Sequence, residues 1–318
     1  MKRILVCLLA AGSLSSAPPA VTHRQVEAML TKLSNWGRWG AADERGALNL
    51  ITPAKSLQAA ALVKDGVSVS LAHDVTKQRA DDSPAFEHKM LETGANSKTG
   101  ASDYYGVQYH GFTVTHLDAL CHVFWNGKMF NGFSQQEVTG SGAGKLAVTR
   151  AKSGIVTRGV LVDLPRLLGK KYLEGNRAIL PEDLDRWEKQ SKLRVQPGDA
   201  LLFRTGRWAR RAAEGSWDIM KNSAGLHASC LPWLKQRDVA VVGSDLATDV
   251  MPSGIASIVL PVHLVLINGM GVPILDNLDL EAVSDAAAQR GRAEFLLTVA
   301  PLPVEGGTGS PVNPIAIF

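Results

Sequence analysis

The stretch Thr115-His116-Leu117-Asp118-Ala119-Leu120-Cys121-His122 decides how the rest of the chain is read. In an extended backbone residues i and i+2 share a face, so His116 and Asp118 present their donor atoms together. His122 comes four residues after Asp118 and returns to the same locale if the chain turns helical there. Two imidazoles and a carboxylate are donors suited to Zn²⁺, Mn²⁺ or Fe²⁺. The same pattern also suits surface histidines, or core histidines satisfied by hydrogen bonds.

Tyr104, Tyr105 and Tyr109 precede the motif, and Phe124, Trp125 and Phe130 follow it, in a chain with only 6% aromatic residues. Aromatic surface beside a polar cluster suits a ring-bearing ligand, although a core seam edged with tyrosines would read the same way. His110 and Phe112 lie just upstream on the same approach. The glycine-rich run Thr139 to Lys145 imitates a phosphate-binding loop, but its first glycine is out of register and Leu146 replaces the hydroxyl such loops need. It reads as a glycine loop.

Around this centre the chain alternates strand and helix signals. His23 to Ser34 has helical spacing, and Thr52-Pro53 is a capped helix start that predicts a helix to about Lys64, ended by Gly66. Strands are expected at Val67–Leu71, Gly159–Val162, Ala200–Phe203, Val239–Val242, Ile258–Leu260 and Phe295–Val299. Helices are expected at Pro181–Ser191, Cys230–Gln236 and Leu280–Ala288. Residues 78–100 are polar and aperiodic, which predicts a long loop of the lid or binding kind. The pattern predicts a single α/β domain with a mixed β-sheet and flanking helices.

The 318 residues, 45% hydrophobic and 20% charged, can bury a sizeable core, which excludes disorder as the main state. No apolar run approaches the roughly 20 residues of a membrane-spanning helix. A formal charge of +4 is too small and scattered to predict a nucleic-acid partner. Residues 1–20 open with Lys2 and Arg3, continue as a short apolar run and end in small residues. This is the pattern of a secretory signal peptide, so residues 21–318 are expected to form a periplasmic or secreted domain, cytoplasmic if the segment is retained. The three cysteines exclude a four-thiolate metal site. Whether Cys121 and Cys230 pair is open from spacing alone.

The central stretch resembles the signature of the metal-dependent cyclase/hydrolase family that includes bacterial kynurenine formamidase and isatin hydrolase, usually H-x-G-T-H-x-D-x-P-x-H. Further blocks resemble it in order: Ser34 to Gly40, Gly46 to Asn49, Arg158 to Asp163, Gly198 to Gly206, Gly243 to Asp245, Leu260 to His263 with Leu275 to Leu278, and Gly309 to Pro314. The resemblance implies a swivelling β/β/α fold. It also implies a divalent metal, Zn or Mn, a small aromatic substrate and a homo-oligomer (dimer or tetramer).

By the same resemblance His116, Asp118 and His263 match metal ligands and His122 matches the catalytic histidine. Without it His263, inside the apolar run Ile258 to Ile267, reads as a buried structural residue. The family's glutamate ligand falls at Leu275, so Asp276 is the expected replacement, with Asn277 a neighbour able to take the role. The first histidine of the signature falls at Phe112, and His110, two positions away, is either a substitute ligand or a pocket-rim residue. Trp125, Phe124, Phe112 and His110 are the expected substrate contacts. The implied activity is hydrolysis of an amide or lactam. A lactone hydrolase, a cyclase/dehydratase, or a periplasmic binding protein without turnover are the alternatives. Asp245 and Asp249 carry no assignment, being able either to line the pocket or to cap turns.

Overall fold

The computed structural model describes residues 18–84 and 86–318; most of the expected signal segment, with Cys7, lies outside them. A nine-stranded mixed sheet organises the chain. Its strands are β1 (Ser68–Ser70), β2 (His116–Asp118), β3 (Ile155–Asp163), β4 (Ala200–Arg204), β5 (Val241–Ser244), β6 (Ile274–Asp276), β7 (Glu294–Val299), β8 (Gly309–Pro311) and β9 (Ile315–Ile317). They lie in the order β1-β9-β7-β3-β4-β5-β6-β2-β8. The four central strands β3 to β6 run parallel, and antiparallel strands flank them on both sides. Parallel strands need both faces covered, and β4, β5 and β6 are buried throughout. The single-domain α/β fold expected from the alternation of elements is the one observed.

Period-two alternation divides the core. Val160, Val162, Leu201, Phe203, Val242 and Ile274 face one core, while Leu161, Leu202, Val241 and Leu275 face the other. His116 and Asp118 flank Leu117, which belongs to the second core, so both donors point to the first side. Asp276, two residues after Ile274, points there too. The helical segment Pro261–Met270 also packs into that first core. Strand parity thus aims the acidic and imidazole side chains at one helix.

Local chemistry accounts for most boundaries. Thr22 and Gln25 form a reciprocal capping box at the start of helix His23–Lys32. Helix Pro53–Ala60 starts with Thr52 Oγ1 accepting from Lys55 N–H at 3.2 Å. It ends at Ala60 rather than near Lys64: the N–H groups of Leu62 and Val63 donate three residues back, to the Ala59 and Ala60 carbonyls at 3.0 and 3.1 Å, and those of Asp65 and Gly66 donate to the Phe318 carbonyl at 3.1 and 2.8 Å. Helices Pro181–Ser191, Leu231–Arg237 and Glu281–Arg290 lie where their sequence signals put them.

Two expectations fail. Ile258–Leu260 is not a strand: Pro261 opens a short helix, Pro261–His263, that continues as a π-helix, Leu264–Met270. All ten of these residues are buried, and a run apolar on every side carries no periodicity to separate helix from strand. Residues 78–100 are not simply a loop: Glu87–Glu92 pairs antiparallel with Ser102–Gly106 as a two-stranded ribbon. Both of its faces are largely exposed, so no hydrophobic alternation marks it. The glycine run is a tight hairpin pairing Val138–Thr139 with Gly142–Ala143. Cys121 and Cys230 are both free and buried. Among the described residues no helix is long and apolar enough to cross a membrane.

Candidate metal centre

The centre forms where β2 and β6 pair antiparallel, with Asp276 opposite His116 and Ile274 opposite Asp118. A backbone carbonyl fixes one imidazole and a carboxylate from a separate loop fixes another. His116 Nδ1 lies 3.0 Å from the Val114 carbonyl, an acceptor, so Nδ1 carries the proton and Nε2 is free to face the cluster. His116 Nε2 is 3.5 Å from Asp118 Oδ1. His263 Nε2 lies 3.0 Å from Asp276 Oδ2 and 3.9 Å from Asp118 Oδ2. Its Nδ1 is held by Asp249 Oδ2 at 2.6 Å.

A tight turn follows β2, with His122 N–H donating to the Ala119 carbonyl at 3.0 Å. It returns His122 to the cluster, Nε2 3.9 Å from Asp118 Oδ2. His110 enters from the other side, its Nδ1 2.9 Å from Asp118 Oδ1 and its Nε2 2.9 Å from Thr308 Oγ1. Its ring lies flat on His122, centroids 3.8 Å apart and planes inclined by 6°.

Two donor sets therefore share Asp118: His116, Asp118 and Asp276, and His110, Asp118 and His122, each with ligand atoms within 4.8 Å of one another. Asp118 is 1% exposed, and its Oδ1, although 2.9 Å from His110 Nδ1, makes no well-aligned hydrogen bond among the described residues. An unsatisfied, buried carboxylate oxygen facing several imidazoles and a second carboxylate is a costly arrangement that a cation relieves. Mixed nitrogen and oxygen donors fit a divalent metal ion.

The electrostatics agree with this arrangement. Burial opposes ionisation of Asp118, but contact with His110 and the nearby His122, His116 and His263 hold its carboxyl well below the ordinary range. Burial lowers the pKa of His263, yet the carboxylates of Asp276 and Asp249 outweigh it and raise that group above its usual value. Burial pushes His122 down to about 4 against the opposing pull of Asp118, so its imidazole is neutral at pH 7.

His116, Asp118, His122, His263 and Asp276 thus come together. His110 sits inside the cluster, against Asp118. Of the aromatic residues, Tyr109 stands beside the site, its hydroxyl donating to the Gly309 carbonyl at 3.0 Å and its ring centroid 4.5 Å from that of His110. Phe124 is 41% exposed. Trp125 lies against His23, ring centroids 5.7 Å apart. Phe112 packs on a small cluster of Ile219, Leu246, Ala247 and Met251, and Phe130 is core. Asn277 turns away, its amide reaching the Gly111 and Val114 carbonyls.

Asp249, which the sequence leaves open between pocket lining and turn capping, is here the partner of His263. It accepts Val262 N–H, His263 N–H and the His263 ring; only the fold brings it there. Asp245 caps the turn into helix Arg207–Glu214, accepting N–H groups of Thr205, Gly206 and Arg207.

A cavity of about 570 Å³ between helices Pro181–Ser191 and Glu281–Arg290 is lined by Leu161, Trp187, Arg292 and neighbours, none of them part of this centre.

Comparison with known proteins gives the same frame. Residues 67–250 match the Cyclase family model, described as "Putative cyclase". A crystal structure of a novel cyclase is 32% identical, with a TM-score of 0.81, covering 91% of this chain and 99% of its own. Isatin hydrolase A from Ralstonia solanacearum has the same fold at 20% identity and a TM-score of 0.58, covering 79% of this chain and 92% of its own. An isatin hydrolase bound to the product analogue thioisatinate follows at 18% and 0.56, covering 83% and 95%. No curated protein matches the sequence. With more than half of its length matching the family model and a cyclase 32% identical across nearly all of it, this chain belongs to the cyclase family.

Proposed function

We propose that the chain is a metal-dependent hydrolase that opens an amide or lactam carbonyl in a small aromatic substrate. The carrying observation is the division of labour around Asp118: a buried carboxylate–imidazole set on one side, and on the other a neutral imidazole, His122, 3.9 Å away. The isatin hydrolases that share the fold support the hydrolytic reading.

His116, Asp118, His263 and Asp276 would hold the ion, with His110 as the replacement for the histidine absent at Phe112. A divalent ion bound there lowers the pKa of water toward neutrality and polarises a carbonyl oxygen. The Val114 carbonyl and the Asp249 carboxylate fix the His116 and His263 rings with Nε2 inward, the usual arrangement behind a ligating histidine. His122, neutral at pH 7, takes the proton of the attacking water and returns it to the leaving nitrogen. Stacking on His110 holds the His122 ring, and its edge stays partly open to solvent. Phe124, two residues beyond His122, offers an exposed ring for an aromatic substrate.

The test is product analysis on matched N-formyl arylamines, aryl lactams and aryl lactones with Mn²⁺ or Zn²⁺ present. Ring-opened or deformylated products from the nitrogen compounds are expected, with His122→Ala slower by roughly 10²–10⁴-fold. Turnover confined to lactones, or loss of water without hydrolysis, would replace this reading with one of its relatives.

A further inference from the structure

A second line of contacts reaches His116 from outside the cluster. The Val114 carbonyl that receives His116 Nδ1–H at 3.0 Å also receives Asn277 Nδ2–H at 3.2 Å. Asn277 Nδ2 donates as well to the Gly111 carbonyl, and the Asn277 backbone carbonyl accepts Thr115 Oγ1–H at 2.6 Å. One residue therefore ties down the segment between His110 and His116, immediately after Asp276. Its backbone is left-handed, φ 56°, a conformation asparagine tolerates better than most residues.

Asn277 is itself oriented. Its Oδ1 accepts Arg207 Nη1–H at 2.8 Å, which leaves the Nδ2 hydrogens for Val114 and Gly111. Arg207 Nη2 donates to the Phe112 carbonyl at 3.1 Å and lies 3.7 Å from Asp82 Oδ2. The root of Arg207 is pinned by Asp245 at the start of its helix. Arg207, Asn277 and Asp82 are each 2% exposed or less, so no solvent competes for these bonds.

We propose that Asn277 and Arg207 are positioning residues for the metal centre, acting in series through the Val114 carbonyl to hold the His116 imidazole with Nε2 toward Asp118 and Asp276. The proposal rests on the reading that this cluster holds a divalent ion. Neither side chain touches an ion: Arg207 orients Asn277, and Asn277 acts on His116 through the Val114 carbonyl. Outer-shell partners of this kind commonly change metal affinity by about 10–100-fold.

Asn277→Asp keeps the acceptor for Arg207 and removes both donors to the carbonyls. Arg207→Lys keeps the charge and removes the forked reach to Asn277 and Phe112. The measurements are the Mn²⁺ dissociation constant of the full chain by calorimetry, the thermal midpoint of the metal-free protein, and the His116 tautomer by ¹⁵N NMR without metal. Both variants should bind Mn²⁺ about 10–100-fold more weakly, with His116 losing its single Nδ1–H tautomer. The double variant should be scarcely worse than the stronger single one, because the two act in one chain.

Wild-type Mn²⁺ affinity and tautomer in both variants, whatever their thermal midpoint, would leave these residues with a purely structural role and overturn the proposal. Additive losses would overturn the series arrangement. A wild-type chain that binds no divalent ion would refute the metal-centre reading instead, and the tautomer would still decide whether Asn277 and Arg207 position His116. If Asn277→Asp does not fold, Asn277→Ser and Arg207→Lys carry the same comparison.

Discussion

His263 Nδ1 lies 2.6 Å from Asp249 Oδ2, and the same carboxylate receives the backbone N–H groups of Val262 at 2.6 Å and His263 at 3.1 Å. Asp249 therefore fixes both the start of helix Pro261–His263 and the direction of its imidazole. The Nε2 is left aimed at Asp276 and Asp118, thirteen and more residues away in sequence.

Replacing Asp249 by Asn keeps the shape and weakens the hold on the His263 ring. Affinity for Zn²⁺ or Mn²⁺ should fall by about 10–100-fold, measured by competition with a chromogenic chelator. Unchanged affinity would reduce Asp249 to a backbone anchor.

Burial keeps His122 neutral down to about pH 4, against an ordinary value of 6.5. Below pH 6.5 the unfolded chain gains a proton at this residue that the folded chain does not take. The unfolded state then binds more protons, so stability falls as pH drops through the window from 6.5 to about 4. Urea unfolding of the metal-free protein at pH 7, 6 and 5 reads this directly. His122→Gln should show a shallower decline than wild type; an identical decline would remove His122 from the cause.

Gly309 pairs with Asp118 on β8, and a Cβ there would lie 2.5 Å from the Leu117 carbonyl oxygen and 3.0 Å from His110 Cε1. The Leu117 backbone cannot yield without disturbing the strand that carries His116 and Asp118. Gly309→Ala should cost about 1–3 kcal/mol, the usual range for overpacking a filled site. Denaturant unfolding checks the loss, and a wild-type midpoint would contradict the packing described here.

Much of this site was legible because strand geometry is simple. The i, i+2 spacing of His116 and Asp118 forces them onto one face, whereas Asp276 and His263 were placed at the site only by the resemblance to the cyclase signature; the pairing of Ile274–Asp276 with His116–Asp118 is what brings Asp276 to that face. The parallel core strands were legible as short apolar runs bounded by turn residues. Other features depend on contacts made across long sequence separations. Asp249 looks like any loop aspartate until His263 is placed against it, and Arg207 looks like one of many surface arginines until helix Arg207–Glu214 buries it. The ribbon at 87–106 has no buried face to leave a pattern. The segment Pro261 to Met270 is buried on every side, so its helical course has no period to read. His110, out of step with the family signature, reaches Asp118 with its ring packed over Gly309, where a Cβ would come within 3.0 Å of Cε1.

The central claim is that hydrolysis by this chain requires an ion held at Asp118. The direct measurement is turnover of an N-formyl arylamine or aryl lactam by protein stripped with chelator, then resupplied with Mn²⁺ or Zn²⁺. Stripping should abolish turnover, either ion should restore it, and Asp118→Asn should stay inactive with the ion present. Undiminished turnover by the stripped protein would contradict the account.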